Sequence, residues 1–272
     1  MRIYQPALPL SRFIHAFWMQ EQYVQSHPEE RLLPTGTVEV VFDLSDRGML
    51  IRNAERVTGF DRFRTAVVCG PHSGFFTIDT AEPSSALGIH FRPGGTYPFF
   101  GPPAHELKND IVPLDALLGA EAGLLRERLV EAPTPDAKFA ILERVLMGLA
   151  VRNFERRPAV AHALQRFRDV RDVPPMSRVA RETGISQRRF IQIFKEEVGL
   201  TPKVYCRIRR FQEVLRKIEA QHEVTWSDVA YWCGYYDQAH FIHDFREFSG
   251  LNPTAYLEQR GSRLNHVPIS LM

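Results

Sequence analysis

Two stretches of the chain are built to one plan: SRVARETGISQRRFIQIFKEEVGLTPKVY at 177–205 and SDVAYWCGYYDQAHFIHDFREFSGLNPTAY at 227–256. Each has a Val-Ala pair (Val179-Ala180, Val229-Ala230), then a glycine (Gly184, Gly234), and each ends Gly-Leu-(Thr/Asn)-Pro-x-x-Tyr. Gly199 and Gly250 suit the left-handed position that closes a helix. Thr201 and Asn252 are preferred N-caps, and Pro202 and Pro253 then fall in a first turn, where a missing N–H costs nothing. Tyr205 and Tyr256, one turn on, are expected to pack back on the preceding helix. The Gly-Leu-x-Pro segments are therefore joints between helices.

Ser186 and Asp237, four residues before Phe190 and Phe241, are expected to cap the helix that each joint ends. Phe194 and Phe245 follow at i+4 and mark its buried face. Ala180 and Ala230 are 50 positions apart, whereas Ser186 and Asp237 are 51 apart, so the second copy carries one extra residue in its turn. Helix, short glycine-containing turn, helix is the helix-turn-helix, whose second helix can enter the major groove. One copy alone would read as an ordinary αα-hairpin. Two in register on a basic segment point to DNA. The helix between them, about 201–220, carries an apolar stripe of Val204, Ile208, Phe211, Leu215 and Ile218. At 1.5 Å per residue it makes a rod of about 30 Å, close to the roughly 34 Å between successive major-groove faces.

The segment GYYDQAHFIHDFREFSGLNPTAY (234–256) resembles the signature of the AraC/XylS-type transcription regulators in its Gly-aromatic, Asp-Gln-x-His-Phe and Gly-x-x-Pro-x-x-Tyr elements. The resemblance covers about 160–260. It implies a seven-helix DNA-binding domain with two motifs, work alongside the transcription machinery, and an N-terminal sensor, often a cupin-like barrel that binds a small effector. Looser likenesses at LPTGTVEVVFDL and IHFRPGGTYPFFGPPAHELKNDIVPLDALLG are to segments ahead of such domains in some regulators, and they name no ligand.

Base reading favours side chains near the start of a recognition helix and one turn on. The candidates are Gln187, Arg188 and Gln192 in the first unit and Gln238, His240 and His243 in the second; Gln can pair with adenine and Arg with guanine. Lys195 and Arg246, farther along, are expected on phosphate. In the family the position two after the buried aromatic is often Arg; here it is Gln192 and His243, which bears on the preferred sequence. His240 also matches a family position that is often structural. His240 and His243 as a metal pair lack a third ligand, and no metal is expected. Trp226, Trp232 and Cys233 read as core.

Residues 1 to about 112 read as β-rich. TVEVVFDL alternates, with Val38, Val40, Phe42 and Leu44 on one face and Glu39, Val41 and Asp43 on the other. RTAVVCG, GFFTIDT and SALGIHF are further short runs, and many short strands suggest a barrel or sandwich. Helical patterns follow from about 113. The longest is TPDAKFAILERVLMGLAVRNFERR, with Thr134 as cap and a stripe at Phe139, Leu142, Leu146 and Leu149 that suits either the barrel or a dimer seam. Beyond Pro158 everything reads as helices with short turns. The fold class is thus α+β: a β-rich, cupin-like barrel with trailing helices over 1–157, then an all-α domain with two helix-turn-helix motifs over 158–272.

The whole chain of 272 residues has a net charge of +2. Residues 1–157 hold 17 Lys+Arg against 19 Asp+Glu, and 158–272 hold 17 against 13, so the basic excess lies in the second half. Cys69, Cys206 and Cys233 are distant from one another and read as buried thiols. With no leader pattern or membrane-length apolar run, the expected setting is the cytoplasm. No His-x-His ligand pair, nucleophile motif, phosphate loop or paired-carboxylate signature occurs, so no catalytic residue and no cofactor is expected and the chain does not read as an enzyme. His15, His72, His90 and His105 read as core or surface histidines. Glu39 and Arg92 are first guesses for contacts to a polar effector. The partners expected are double-stranded DNA, a small-molecule effector and a second copy of the chain. The rival readings are a regulator whose first domain only dimerises or meets a protein, and a cupin-type enzyme fused to DNA-binding helices.

Overall fold

The computed structural model describes residues 1–45, 47–53, 59–150, 154–220 and 224–269. Its strands are β1 Arg2–Tyr4, β2 Ile14–Tyr23, β3 Glu29–Leu32, β4 Glu39–Asp43, β5 Met49–Asn53, β6 Asp61–Phe63, β7 Ala66–Cys69, β8 Phe76–Asp79, β9 Ser84–Phe91, β10 Ile111–Pro113 and β11 His266–Ile269. Three helices, α1 Asp115–Leu118, α2 Glu121–Glu131 and α3 Pro135–Leu149, close the first half. Seven follow: α4 Pro158–Arg166, α5 Met176–Glu182, α6 Gln187–Val198, α7 Pro202–Glu219, α8 Trp226–Trp232, α9 Gln238–Ser249 and α10 Pro253–Gln259.

The strands form two antiparallel sheets, ordered β1-β2-β9-β4-β7-β10 and β11-β3-β8-β5-β6. The alternation in β4 explains the layering. Val40 and Phe42 enter a core with Phe139, Leu142 and Leu146 of α3 and Leu125 and Leu129 of α2. Val41, on the other face, packs with Ile51 and Phe76 of the second sheet. The first sheet is thus covered on both faces, by helices and by the second sheet. This is the β-rich domain expected, as two facing sheets rather than a closed cylinder.

Of the two fates open to the α3 stripe, packing within the domain is the observed one. Thr134 Oγ1 accepts from Ala137 N to cap the helix, and the Phe139 ring stacks on Tyr4 at 5.3 Å and near Phe17 at 6.2 Å. Residues 151–153, the end of the helix read from sequence, lie outside the described residues. Strand β2 escaped the sequence reading because both its faces are buried in part, which erases the period-2 signal.

One expectation is overturned beyond Pro158. The chain is not all helix there: His266–Ile269 return as β11 and pair with β3, from His266↔Leu32 to Ile269↔Glu29. Pro268 is tolerated because β11 is an edge strand, where one N–H has no partner to lose. The return strand is pinned by Glu30, which is buried and accepts from His266 Nδ1 at 2.7 Å, from His27 Nε2 at 2.8 Å and from Tyr23 at 2.9 Å. In exchange, Leu33 of the first half joins the helical core.

Candidate nucleic-acid interface

The two repeated units superpose in their chemistry. Ser186 Oγ accepts from Arg189 N at 3.3 Å and Asp237 Oδ1 from His240 N at 2.7 Å, so both recognition helices, α6 and α9, are capped as the sequence implies. Both end in left-handed glycines, Gly199 at φ 87° and Gly250 at φ 71°. Thr201 then accepts from Val204 N, and Asn252 from Ala255 N. Tyr205 lies edge-on to Phe194 at 5.7 Å, and Tyr256 edge-on to Phe245 at 5.4 Å. The turns match as far as Ile185 and Tyr235, whose N–H groups both reach back to the alanine of the preceding helix (Ala180, Ala230). The extra residue is therefore Tyr236, which is 93% exposed and stands just before the cap of α9.

Helix α7 joins the units as a rod of 18 residues, about 27 Å at 1.5 Å per residue. Phe211 on it packs against Phe245 at 5.2 Å and Phe248 at 5.3 Å. Arg207, one turn earlier, clips α9 to α7. Its Nη2 lies 2.6 Å from Asp244 Oδ1 and 2.6 Å from Glu247 Oε2. His243, Asp244 and Glu247 bring potential metal-ligand atoms within 4.8 Å of one another. Both carboxylates already have their cation in Arg207.

Gln187, Arg188, Gln192, Gln238, His243 and Arg246 are exposed, and Lys195 and His240 are half-buried. Gln192 Nε2 donates to Glu196 Oε1 at 3.0 Å. His243 Nε2 lies 3.5 Å from Glu247 Oε2, and His240 sits edge-on to Tyr235 at 5.3 Å. Trp232 is a correction: it is 51% exposed and covered by Lys217 at 5.8 Å rather than buried. It is the last residue of a two-turn helix whose inward face is already taken by Val229 and Cys233. Trp226 is half-buried and stacks on Phe241, and Cys233 is fully buried. All three cysteines are free and buried, and burial pushes each thiol up.

The far ends of both recognition helices dock on the first half of the chain. A Cβ on Gly199 would lie 2.3 Å from the Pro71 ring and 2.9 Å from the Ala104 carbonyl oxygen; on Gly250 it would lie 2.5 Å from the Phe75 ring. The joint glycines are thus required twice, for their φ and for close approach. Arg157 bonds Glu196, and fully buried Glu197 lies 3.8 Å from Arg156. Burial pushes the Glu197 carboxyl up to about 7, with Arg156 and Arg157 offsetting only part of the effect. A proton held in the folded state and released in the unfolded one makes stability fall as pH rises, here from about 4.5 to about 7. At about 1.36 kcal/mol per pKa unit the loss is at most roughly 3 kcal/mol. Urea midpoints at pH 5 and pH 7.5 are expected to converge in Glu197→Gln relative to the unchanged protein.

Between the sheets lies a cavity of about 570 Å³. Glu39 lines it and Arg92 does not: Arg92 is exposed and donates to the Ser11 carbonyl at 2.9 Å. Part of the lining, Arg263 to His266, is contributed by the segment that follows α10. That segment is tied to the helices by Tyr256 Oη to Leu264 O and by Gln212 Nε2 to Asn265 Oδ1. Sequence reading missed this segment and the Arg207 clip. For Tyr236 the change of offset from 50 to 51 was the available signal.

Two helix-turn-helix units held on one rod define a DNA-binding domain, and comparison with known proteins agrees. Residues 179–259 match the family described as a helix-turn-helix domain, and residues 2–113 match a domain of unknown function (DUF6597). Over 72 residues the chain is 32% identical to the probable transcriptional regulator LumQ of Photobacterium leiognathi; the match spans 26% of this chain and 29% of that protein. The ToxT structure from Vibrio cholerae is similar over 89% of this chain and 98% of its own, with a TM-score of 0.50 at 10% identity. A second ToxT structure, bound to (E)-4-(8-methylnaphthalen-1-yl)but-3-enoic acid, gives the same TM-score, identity and coverage. These likenesses show a shared two-domain fold. Residues 179–259 are thus a helix-turn-helix domain.

Proposed function

We propose that the protein is a sequence-specific transcription regulator, not an enzyme, which binds double-stranded DNA through α6 and α9 and takes a small-molecule effector between the sheets of its N-terminal domain. The observation that carries the DNA reading is the pair of helices on one rod, each capped by the side chain of the residue before it, with their N-terminal ends exposed. The effector reading is supported by the cavity, because the segment after α10 forms part of its lining and is bonded to Gln212 of α7. A ligand there meets both halves of the molecule. It shifts the balance of DNA-competent states to the extent that it binds them differently. A second copy of the chain and the transcription machinery are further partners of this reading, set in the cytoplasm; among the described residues no helix is long and apolar enough to cross a membrane.

Gln187, Arg188, Gln192, Gln238, His240 and His243 are the proposed base readers, with Lys195 and Arg246 on phosphate. Gln192→Ala and His243→Ala test the assignment on an array of duplexes. Each is expected to change the ranking of sequences, by about 1–3 kcal/mol at the base it reads, with a smaller change in mean affinity. Equal losses on every duplex would make these residues backbone contacts instead.

A further inference from the structure

The ligand chemistry of the inter-sheet cavity is set by three residues of the first sheet: Trp18 on β2, Glu39 on β4 and Gly88 on β9. Gly88 stands opposite Trp18 in register. A Cβ at Gly88 would lie 2.1–2.4 Å from three atoms of the Trp18 indole, so the ring lies against β9 only because that position has no side chain. In this pose the indole Nε1–H donates to Glu39 Oε1 at 2.5 Å, and His90 Nδ1 is 3.7 Å from the same oxygen. Among the described residues, Glu39 Oε2 takes no hydrogen bond. Burial would raise the Glu39 pKa, but the contacts with His90 and Trp18 outweigh it and hold the carboxyl below its ordinary range.

The other charged groups of the lining are already engaged. Asp43 accepts from the N–H groups of Ser45 and Gly48. Arg47 lies 2.7 Å from Glu82, Arg263 bonds Gln20, and His266 bonds Glu30. Much of the remaining wall is apolar, with Leu32, Val41, Ile51, Val67, Phe76 and Ile78. A ligand carboxylate would face Glu39 and find its cations committed elsewhere. An ammonium gains a charge-assisted bond to Oε2 and the face of an indole.

We propose that this cavity takes a protonated amine carried on an apolar body, held by Glu39 and Trp18. The proposal rests on the reading of the cavity as the effector site. It differs from the carboxylic acid bound by ToxT, whose fold is similar.

The test uses the full chain and two matched pairs of probes, tryptamine with indole-3-propionate and 2-phenylethylamine with 3-phenylpropionate, titrated calorimetrically. The amine of each pair is expected to bind at least about tenfold more tightly, the scale of one charge-assisted hydrogen bond. Glu39→Gln, which keeps an acceptor for the indole, is expected to erase that preference while retaining binding of the carboxylate. Equal affinities, or tighter carboxylates, in the unchanged protein overturn the amine assignment and leave the effector reading standing. No heat from any of the four probes at millimolar concentration overturns both.

Discussion

Arg207→Ala is expected to lower the unfolding free energy by about 3 kcal/mol and to uncouple the second recognition helix from the first. Removing one partner of a buried ion pair costs roughly 3–5 kcal/mol, because the other charge is left buried and unpaired. Here that charge is Asp244, which is fully buried; its Oδ2 has no hydrogen-bond partner, and what would remain beside it is the partly exposed imidazole of His240 at 3.7 Å. The lower end of the range applies because the Arg207 side chain keeps 21% of its surface in solvent. Glu247, 41% exposed, loses less. Urea denaturation is the measurement: the midpoint is expected to fall with little change in slope. Asp244→Asn on top of Arg207→Ala is expected to recover part of the loss by removing the stranded charge. A change under about 1 kcal/mol would mean that α9 is held by Phe211, Phe245 and Phe248 alone.

The second large effect is on DNA affinity as salt rises. Each phosphate neutralised releases counterions and contributes about −0.9 to the slope of log K against log salt concentration. Six such contacts, shared between two units, correspond to roughly a thousandfold fall between 50 and 200 mM salt. Lys195→Ala and Arg246→Ala are each expected to make that slope shallower by about 0.9 and to weaken all duplexes alike. Fluorescence anisotropy over a salt series checks both. A flat salt response would remove phosphate contact from the account.

What was legible in the sequence was local. Ser186, Gly199, Thr201 and Pro202, with their counterparts Asp237, Gly250, Asn252 and Pro253, each act within one turn of helix, so their chemistry can be read from neighbours. The strands in TVEVVFDL, RTAVVCG, GFFTIDT and SALGIHF were visible for the same reason. Strand β2 was hidden by burial on both faces. Strand β11 was hidden because it is four residues long and pairs with residues more than 230 positions away. The Arg207 clip joins residues 37 and 40 apart on different helices, and nothing in the local pattern marks an arginine as a partner of Asp244. Trp232 misled because a large aromatic beside Cys233 suggests core, whereas a short helix has one inward face.

The candidate site was legible to the same degree. The reading helices follow from the repeat, but the docking of their far ends on Pro71, Ala104 and Phe75 is a tertiary fact. Glu39, one of two acids on that face of β4, does line the cavity, as does Asp43. Arg92 stood out in its turn but sits on the surface, because its side chain bonds the backbone at Ser11. The hydrogen-bond donor to Glu39 is Trp18, and what makes room for that ring is the missing side chain at Gly88.

The central claim is that α6 and α9 read two adjacent stretches of one duplex from a single chain. Selection of bound sites from a pool of random duplexes, with the full-length protein, tests it most directly. The account predicts an enriched site with two short blocks whose centres lie about 10–10.5 base pairs apart, one turn of the double helix. It predicts further that Arg188→Ala degrades one block and Gln238→Ala the other. A pool that shows no enrichment, or one block altered by variants in both helices, would contradict it.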